Sequence, residues 1–121
     1  MTTIYFSGKC FQEFESELYM KTSAKNEFTD WGLFGQAAMN QLIADKCTII
    51  DETYREKTFI ESSDDDIGFM KSIVLNMKDA VKIDFEEVLE SYTMEPEDMF
   101  EYIMIWCTAN NYYMLYWNTT A

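Results

Sequence analysis

The stretch "IDFEEVLESYTMEPEDMFEYIMIW", Ile83 to Trp106, decides how the second half of the chain is read. Between Asp84 and Glu101 it holds eight carboxylates and neither lysine nor arginine. Phe85, Val88, Leu89 and Tyr92 recur at i, i+3, i+4 and i+7, the spacing that lines one face of an α-helix. Asp84, Glu86, Glu87 and Glu90 occupy the other side. The pattern predicts an amphipathic helix with its apolar stripe inward and its carboxylates outward. That helix is expected to stop around "SYTME". Pro96 is then expected to open another in its first turn, where a missing amide costs nothing. Glu97 and Asp98 would follow inside that turn, favoured by the helix dipole. Met99, Phe100, Ile103, Met104 and Cys107 would be the buried side of this second helix, with Glu101 pointing outward.

Upstream, "SSDDDIGFMKSIVLNMKDAVK" carries Ile67, Met70, Val74, Met77 and Val81 at helical spacing. Ser63 with Asp66 three residues on has the form of a capping box, which satisfies two amides at a helix start. Asp64, Asp65 and Asp66 fall where the dipole welcomes negative charge. "TDWGLFGQAAMNQLIADKC" predicts a further helix, capped by Thr29 or Asp30, with Phe34, Ala38, Leu42 and Asp45 along one line. Gly32 and Gly35 weaken its first turns and permit close packing on a neighbour.

The other segments favour strands. "TTIYFSG" is β-branched, aromatic and ends at glycine. "KCFQEFESELYMKTSAKNEF" fits two descriptions: Phe11, Phe14 and Leu18 suit a helix over Phe11 to Tyr19, whereas "SELYMKT" suits a strand. Thr48–Ile50 and Lys57–Glu61 could form a hairpin. "YYMLYWN" predicts a strand apolar on both sides, with Tyr112, Met114 and Tyr116 on one face and Tyr113, Leu115 and Trp117 on the other. Such a strand is either covered on both sides or presents an adhesive surface. The expected fold is α+β: one domain over residues 1–121, with a small, mainly antiparallel sheet and about four helices packed on one side.

Charge narrows the function. The net charge is -13, from 22 acids and 9 bases. Residues 1–50 hold six acids and four bases, residues 51–101 hold sixteen acids and five bases, and residues 102–121 hold no charged side chain. A field of this sign repels nucleic acid and anionic membranes and attracts basic proteins. Hydrophobic residues at 48% and aromatics at 17% separate the chain from disordered acidic tails. Cys10, Cys47 and Cys107 are scattered and odd in number, which suits buried thiols in a reducing cytoplasm better than a disulfide framework. No secretion signal precedes the first strand, and no apolar run reaches the length of a membrane span.

Catalytic and metal motifs are lacking in the sequence. There is no histidine, so histidine-activated nucleophiles are excluded, and three scattered cysteines do not make a zinc site. "DDDIGFMKSIVL" begins like a calcium loop but has Leu75 at position twelve, where the bidentate glutamate belongs. Carboxylate pairs of the glycosidase type arise by chance among 22 acids. No P-loop or dinucleotide fingerprint occurs, so no cofactor is expected. The candidate partner-binding residues are therefore Asp64, Asp65, Asp66, Asp84, Glu86, Glu87, Glu90, Glu95, Glu97, Asp98 and Glu101, with Tyr112, Tyr113, Tyr116 and Trp117 as aromatic anchors. These residues point to a non-catalytic inhibitor of a basic nucleic-acid-processing protein, of the phage anti-CRISPR or antirestriction type. On two amphipathic helices the carboxylates would stand roughly 5–6 Å apart, comparable with phosphates along one DNA strand. An immunity protein against a nuclease toxin is the alternative, and a structural protein whose acidity keeps it soluble is a third. Self-association is compatible with all three.

Overall fold

The computed structural model describes residues 1–11, 14–45, 50–75, 87–94 and 101–120. The frame is a six-stranded antiparallel sheet, built from β1 (Thr2–Phe11), β2 (Phe14–Ala24), β3 (Phe59–Glu61), β4 (Glu90–Met94), β5 (Glu101–Cys107) and β6 (Asn111–Thr120). The strand order is β1-β2-β6-β5-β4-β3. Two hairpins, β1–β2 and β5–β6, are joined where β6 pairs with β2 along its whole length, from Glu15↔Thr120 to Ala24↔Asn111.

The two faces of β6 explain the layering. Tyr112, Met114 and Tyr116 belong to one core cluster; Tyr113, Leu115 and Trp117 belong to the other. Strand β5 divides likewise, with Ile103, Ile105 and Cys107 on the first side and Met104 and Trp106 on the second. Each side is closed by one helix. Helix α1 (Trp31–Ala44) supplies Phe34, Ala38, Met39 and Leu42 to the first cluster. Helix α2 (Asp64–Leu75) supplies Met70, Ile73 and Val74 to the second. Burying each large apolar side chain contributes roughly 1.5–3 kcal/mol, so a sheet packed on both faces gains from every residue of its central strands. This is the covered alternative for "YYMLYWN", and it removes Tyr112, Tyr113, Tyr116 and Trp117 from the surface.

The architecture differs from the expected small sheet with about four helices on one side. Among the described residues there are two α-helices, on opposite faces of a larger sheet. Three segments account for the difference. Phe11 and Phe14 are partners across the β1–β2 pair, so their separation of three does not mark a helical turn. Glu90 to Met94 forms β4 where a helix end was expected; its Ser91 and Thr93 face inward, so the strand lacks the apolar alternation that would mark it. Glu101 to Cys107 forms β5 where a helix after Pro96 was expected. Ile103 to Cys107 is buried without interruption, and a strand covered on both sides has no polar alternate positions. The expected helical residues 84–86 and 95–100 lie outside the described residues, as does the far end of the helix expected to reach Lys82. Lys57–Glu61 does supply a strand, β3, but it pairs with β4; residues 48 and 49 of its expected partner lie outside the described set.

The helices themselves follow their sequence signals. Asp30 caps α1, accepting from the Leu33 amide at 2.9 Å. Ser63 and Asp66 form the reciprocal box at the start of α2: Asp66 N–H donates to Ser63 Oγ (3.2 Å) and Ser63 N–H to Asp66 Oδ2 (3.0 Å). Gly35 lets α1 approach β5, since a Cβ there would stand 2.9 Å from Ile105 Cδ1. Asp45, at the end of the Phe34–Ala38–Leu42 line, forms an ion pair with Lys21 of β2, whose side chain is 1% exposed. The Lys21 ammonium also donates to Thr3 Oγ1 at 2.8 Å. One buried cation thereby ties α1 to the first two strands.

Candidate functional site

The sheet brings two acidic segments, far apart in sequence, to one corner. Strand β3 runs antiparallel to β4, so the end of one meets the start of the other, with Glu61 opposite Tyr92. The pairing continues one residue further, where Ser62 N–H donates to the Ser91 carbonyl at 3.0 Å. Asp64, Asp65 and Asp66 follow in the first turn of α2, and Glu87 and Glu90 lead into β4. Leu89 N–H donates to the Cys107 carbonyl at 2.9 Å, which holds this approach against β5. Glu61, Asp64, Asp65, Glu87 and Glu90 are exposed, and Asp66 is half-buried by its role in the cap. Tyr92 senses the same corner: burial first, then the charges of Glu90 and Glu61, hold its hydroxyl above the ordinary tyrosine range.

No described lysine or arginine neutralises these carboxylates. Among the described residues the ion pairs are Lys21–Asp45 and the exposed Arg55–Glu52 contact at 3.6 Å, and neither touches the corner. Nor do the acids converge on a point, because among the described residues no group of three or more could hold a metal ion. The corner is suited to meeting a spread of cationic groups.

Beside it lies an aromatic pair that the sequence did not single out. Trp31, at the start of α1, stacks on Tyr92 with ring centroids 3.8 Å apart and planes 14° from parallel. Both rings are half-buried and so offer an edge to a partner. Tyrosine and tryptophan at the centre of an interface commonly carry its affinity. The only signal for Trp31 in the sequence is an aromatic immediately after the Asp30 cap. It precedes the inward-facing line that begins at Phe34. The spacing of Tyr92 with Phe85, Val88 and Leu89 suggests the buried stripe of a helix. By contrast, the anchors expected at Tyr112, Tyr113, Tyr116 and Trp117 are core residues, none more than 6% exposed.

The remaining candidates divide. Glu101 is not in the corner. It starts β5, where its Oε2 accepts hydrogen bonds from the Tyr54 hydroxyl (2.6 Å) and the Tyr116 hydroxyl (3.2 Å). It is a half-buried structural acceptor. Because Glu90 and Glu101 lie on strands, the one-turn helical spacing expected to set them at phosphate-like intervals does not exist there. Asp84, Glu86, Glu95, Glu97 and Asp98 lie outside the described residues.

A cleft of about 600 Å³ opens on the α1 side between that helix and the 3-10 turn Glu52–Glu56, lined by Trp31, Gln36, Asn40, Arg55, Lys57 and Phe59 among others. Its polar rim is engaged within the chain. Arg55 Nε donates to Asn40 Oδ1 at 2.8 Å, and Lys57 lies 5.2 Å above the Tyr54 ring. Trp31 is shared between this cleft and the acidic corner. Among the described residues no helix is long and apolar enough to cross a membrane. Comparison with family models, with curated proteins and with solved structures finds no match to this chain.

Proposed function

We propose that the protein is a non-catalytic inhibitor that docks its acidic corner on the cationic groove of a nucleic-acid-processing protein, such as a nuclease or a defence complex, in the cytoplasm. The partner is a basic protein; neither nucleic acid nor membrane is bound directly. One observation carries the proposal: Glu61, Asp64, Asp65, Glu87 and Glu90 are exposed together, and no ion pair among the described residues offsets them. A groove built for polyanions is attracted by such charge and repels few of its features. Charge accelerates the encounter, while the Trp31–Tyr92 stack gives the complex a desolvated anchor. Competition for the groove works here through charge density, without a regular copy of the phosphate ladder.

The test is capture from host lysate on the immobilised protein, followed by elution with salt or duplex DNA. The expected partner is basic, leaves the column steeply with salt, and is displaced by DNA. The quadruple variant Glu61→Lys, Asp65→Lys, Glu87→Lys, Glu90→Lys is expected to lose association by about tenfold or more while remaining folded. Unchanged association of that variant would remove the proposal. A single cognate basic toxin as the captured protein would place the same corner in an immunity protein. Capture of nothing but further copies of this chain would favour a structural role.

A further inference from the structure

The outer edge of β1 carries an inference that does not rest on the proposed function. The ladder phase can be followed across the sheet. Thr108 N–H donates to the Asn111 carbonyl at 3.0 Å, and the register runs Trp106↔Tyr113 and Met104↔Leu115 from there. In an antiparallel pair, hydrogen-bonded and non-hydrogen-bonded positions alternate. The odd residues of β6 therefore bond β5, and the even ones bond β2. The odd residues of β2 answer them, as Tyr19↔Tyr116 and Lys21↔Met114, which leaves Leu18, Met20 and Thr22 to bond β1 at Phe6, Ile4 and Thr2. It follows that the backbone N–H and C=O groups of Thr3, Tyr5 and Ser7 point away from the sheet. Among the described residues β1 is one of the sheet's two edge strands, β3 being the other.

Edge strands are usually blunted by charge, proline, brevity or a bulge. Strand β1 has ten residues and no proline, its sole charge is Lys9, and its register shift comes after Lys9, beyond the outward-facing set. Thr3, Tyr5 and Ser7 are exposed, with Tyr5 at 52%. We propose that β1 pairs antiparallel with β1 of a second copy, about a two-fold axis at Tyr5, to make one continuous sheet. In that register Thr3 of each copy exchanges hydrogen bonds with Ser7 of the other. The Tyr5 rings meet across the axis, each already packed on its own Tyr19 at 4.7 Å.

Residues 2–8 carry no charged side chain, so this edge offers nothing to the basic partners that the net charge attracts and suits a strand equally neutral, as a second β1 is. A molecule of net charge -13 repels itself over most of its surface. The acidic corner, however, is at β3 and β4, across the full width of the sheet from β1. That width is about 24 Å at the usual strand spacing. Two corners in the dimer would be about 50 Å apart, many times the screening length of about 8 Å at physiological salt. Edge-to-edge pairing at β1 thus keeps the two corners far apart and leaves both free.

The test combines sedimentation with amide exchange on the intact chain. Expected is a concentration-dependent dimer in which the Thr3, Tyr5 and Ser7 amides exchange at least about tenfold more slowly than in dilute monomer. Ser7→Pro removes one outward amide while leaving the inward ladder, and is expected to be monomeric with fast exchange at Thr3 and Tyr5. Should that variant fail to fold, Tyr5→Lys keeps the backbone, sets like charges against each other at the axis, and is expected to be monomeric. A monomer at every concentration with fast exchange at the three amides would overturn the proposal. So would a dimer that survives both substitutions. Protection that appears only on adding a basic partner would assign the edge to that partner and overturn it equally.

Discussion

Lys21 and Asp45 are unequal members of one ion pair. Lys21 is enclosed between α1 and the sheet, while Asp45 keeps 39% of its side chain in contact with water. Removing the carboxylate leaves a poorly hydrated ammonium with the Thr3 hydroxyl as its remaining polar contact among the described residues. Removing the ammonium frees a carboxylate that water can reach. Asp45→Ala is therefore expected to cost about 1–3 kcal/mol in urea unfolding, below the range of a fully buried pair because water reaches the Asp45 side, and Lys21→Met distinctly less, since an apolar stem of similar length fills the same space. The line Phe34–Ala38–Leu42–Asp45 was legible in the sequence as a face; its acidic end made sense only once β2 supplied the buried lysine. Glu101 teaches the converse. In sequence it is one of eight similar carboxylates, and nothing local distinguishes the one held by Tyr54 and Tyr116. Trp31→Ala is expected to weaken partner binding at least about tenfold with little change in salt dependence, as an anchor should and a steering charge should not. Titration of the variant against the captured partner at two ionic strengths checks it.

Among the elements, those with strong ends were readable. The Ser63–Asp66 box and the Asp30 cap mark α2 and α1 because capping is decided within four residues. Gly68 sits exposed within α2, and a Cβ there meets nothing within 4 Å. Gly68→Ala is expected to raise stability by up to about 1 kcal/mol by denaturant titration, through helix propensity alone. Strands β4 and β5 are hard to recognise in the sequence for a different reason. Their pattern is set by what covers each face, and that is known only from the fold. Ser91 and Thr93 face the α2 side, where the Thr93 hydroxyl shares a 2.7 Å hydrogen bond with Ser62, so β4 presents polar residues inward and Glu90 outward. A short run with such a mixture matches a helix as well as a strand. The acidic corner suffers the same ambiguity. Its carboxylates were all named or visible in the sequence, but only the β3–β4 pairing places Glu61 and Asp64–Asp66 beside Glu90.

For the whole molecule, the excess of negative charge acts in two directions. Salt screens self-repulsion, so rising sodium chloride is expected to raise the thermal midpoint of the free protein while slowing its association with a basic partner. Parallel melting and binding series check both signs; a shared sign would contradict the picture. Alkali acts through the tyrosines. Burial holds the hydroxyls of Tyr102, Tyr92 and Tyr112 above their ordinary value of 10.0, with the Glu90 and Glu61 charges adding to the effect at Tyr92. Above pH 10 the unfolded chain releases these protons while the folded chain retains them. Stability is therefore expected to be unaffected by these groups below pH 10 and to fall as pH rises beyond it. Urea midpoints between pH 8 and 11 check this.

Strand β6 is the sheet's middle seam, with β2 on one side and β5 on the other. During synthesis, Phe14–Ala24 and Glu101–Cys107 leave the ribosome before the segment that joins them. Until Asn111–Thr120 emerges, the nascent chain holds two unfinished half-sheets with apolar seams open. Chaperone occupancy on this polypeptide should accordingly persist until Asn111–Thr120 is free to insert between those seams, and drop abruptly then.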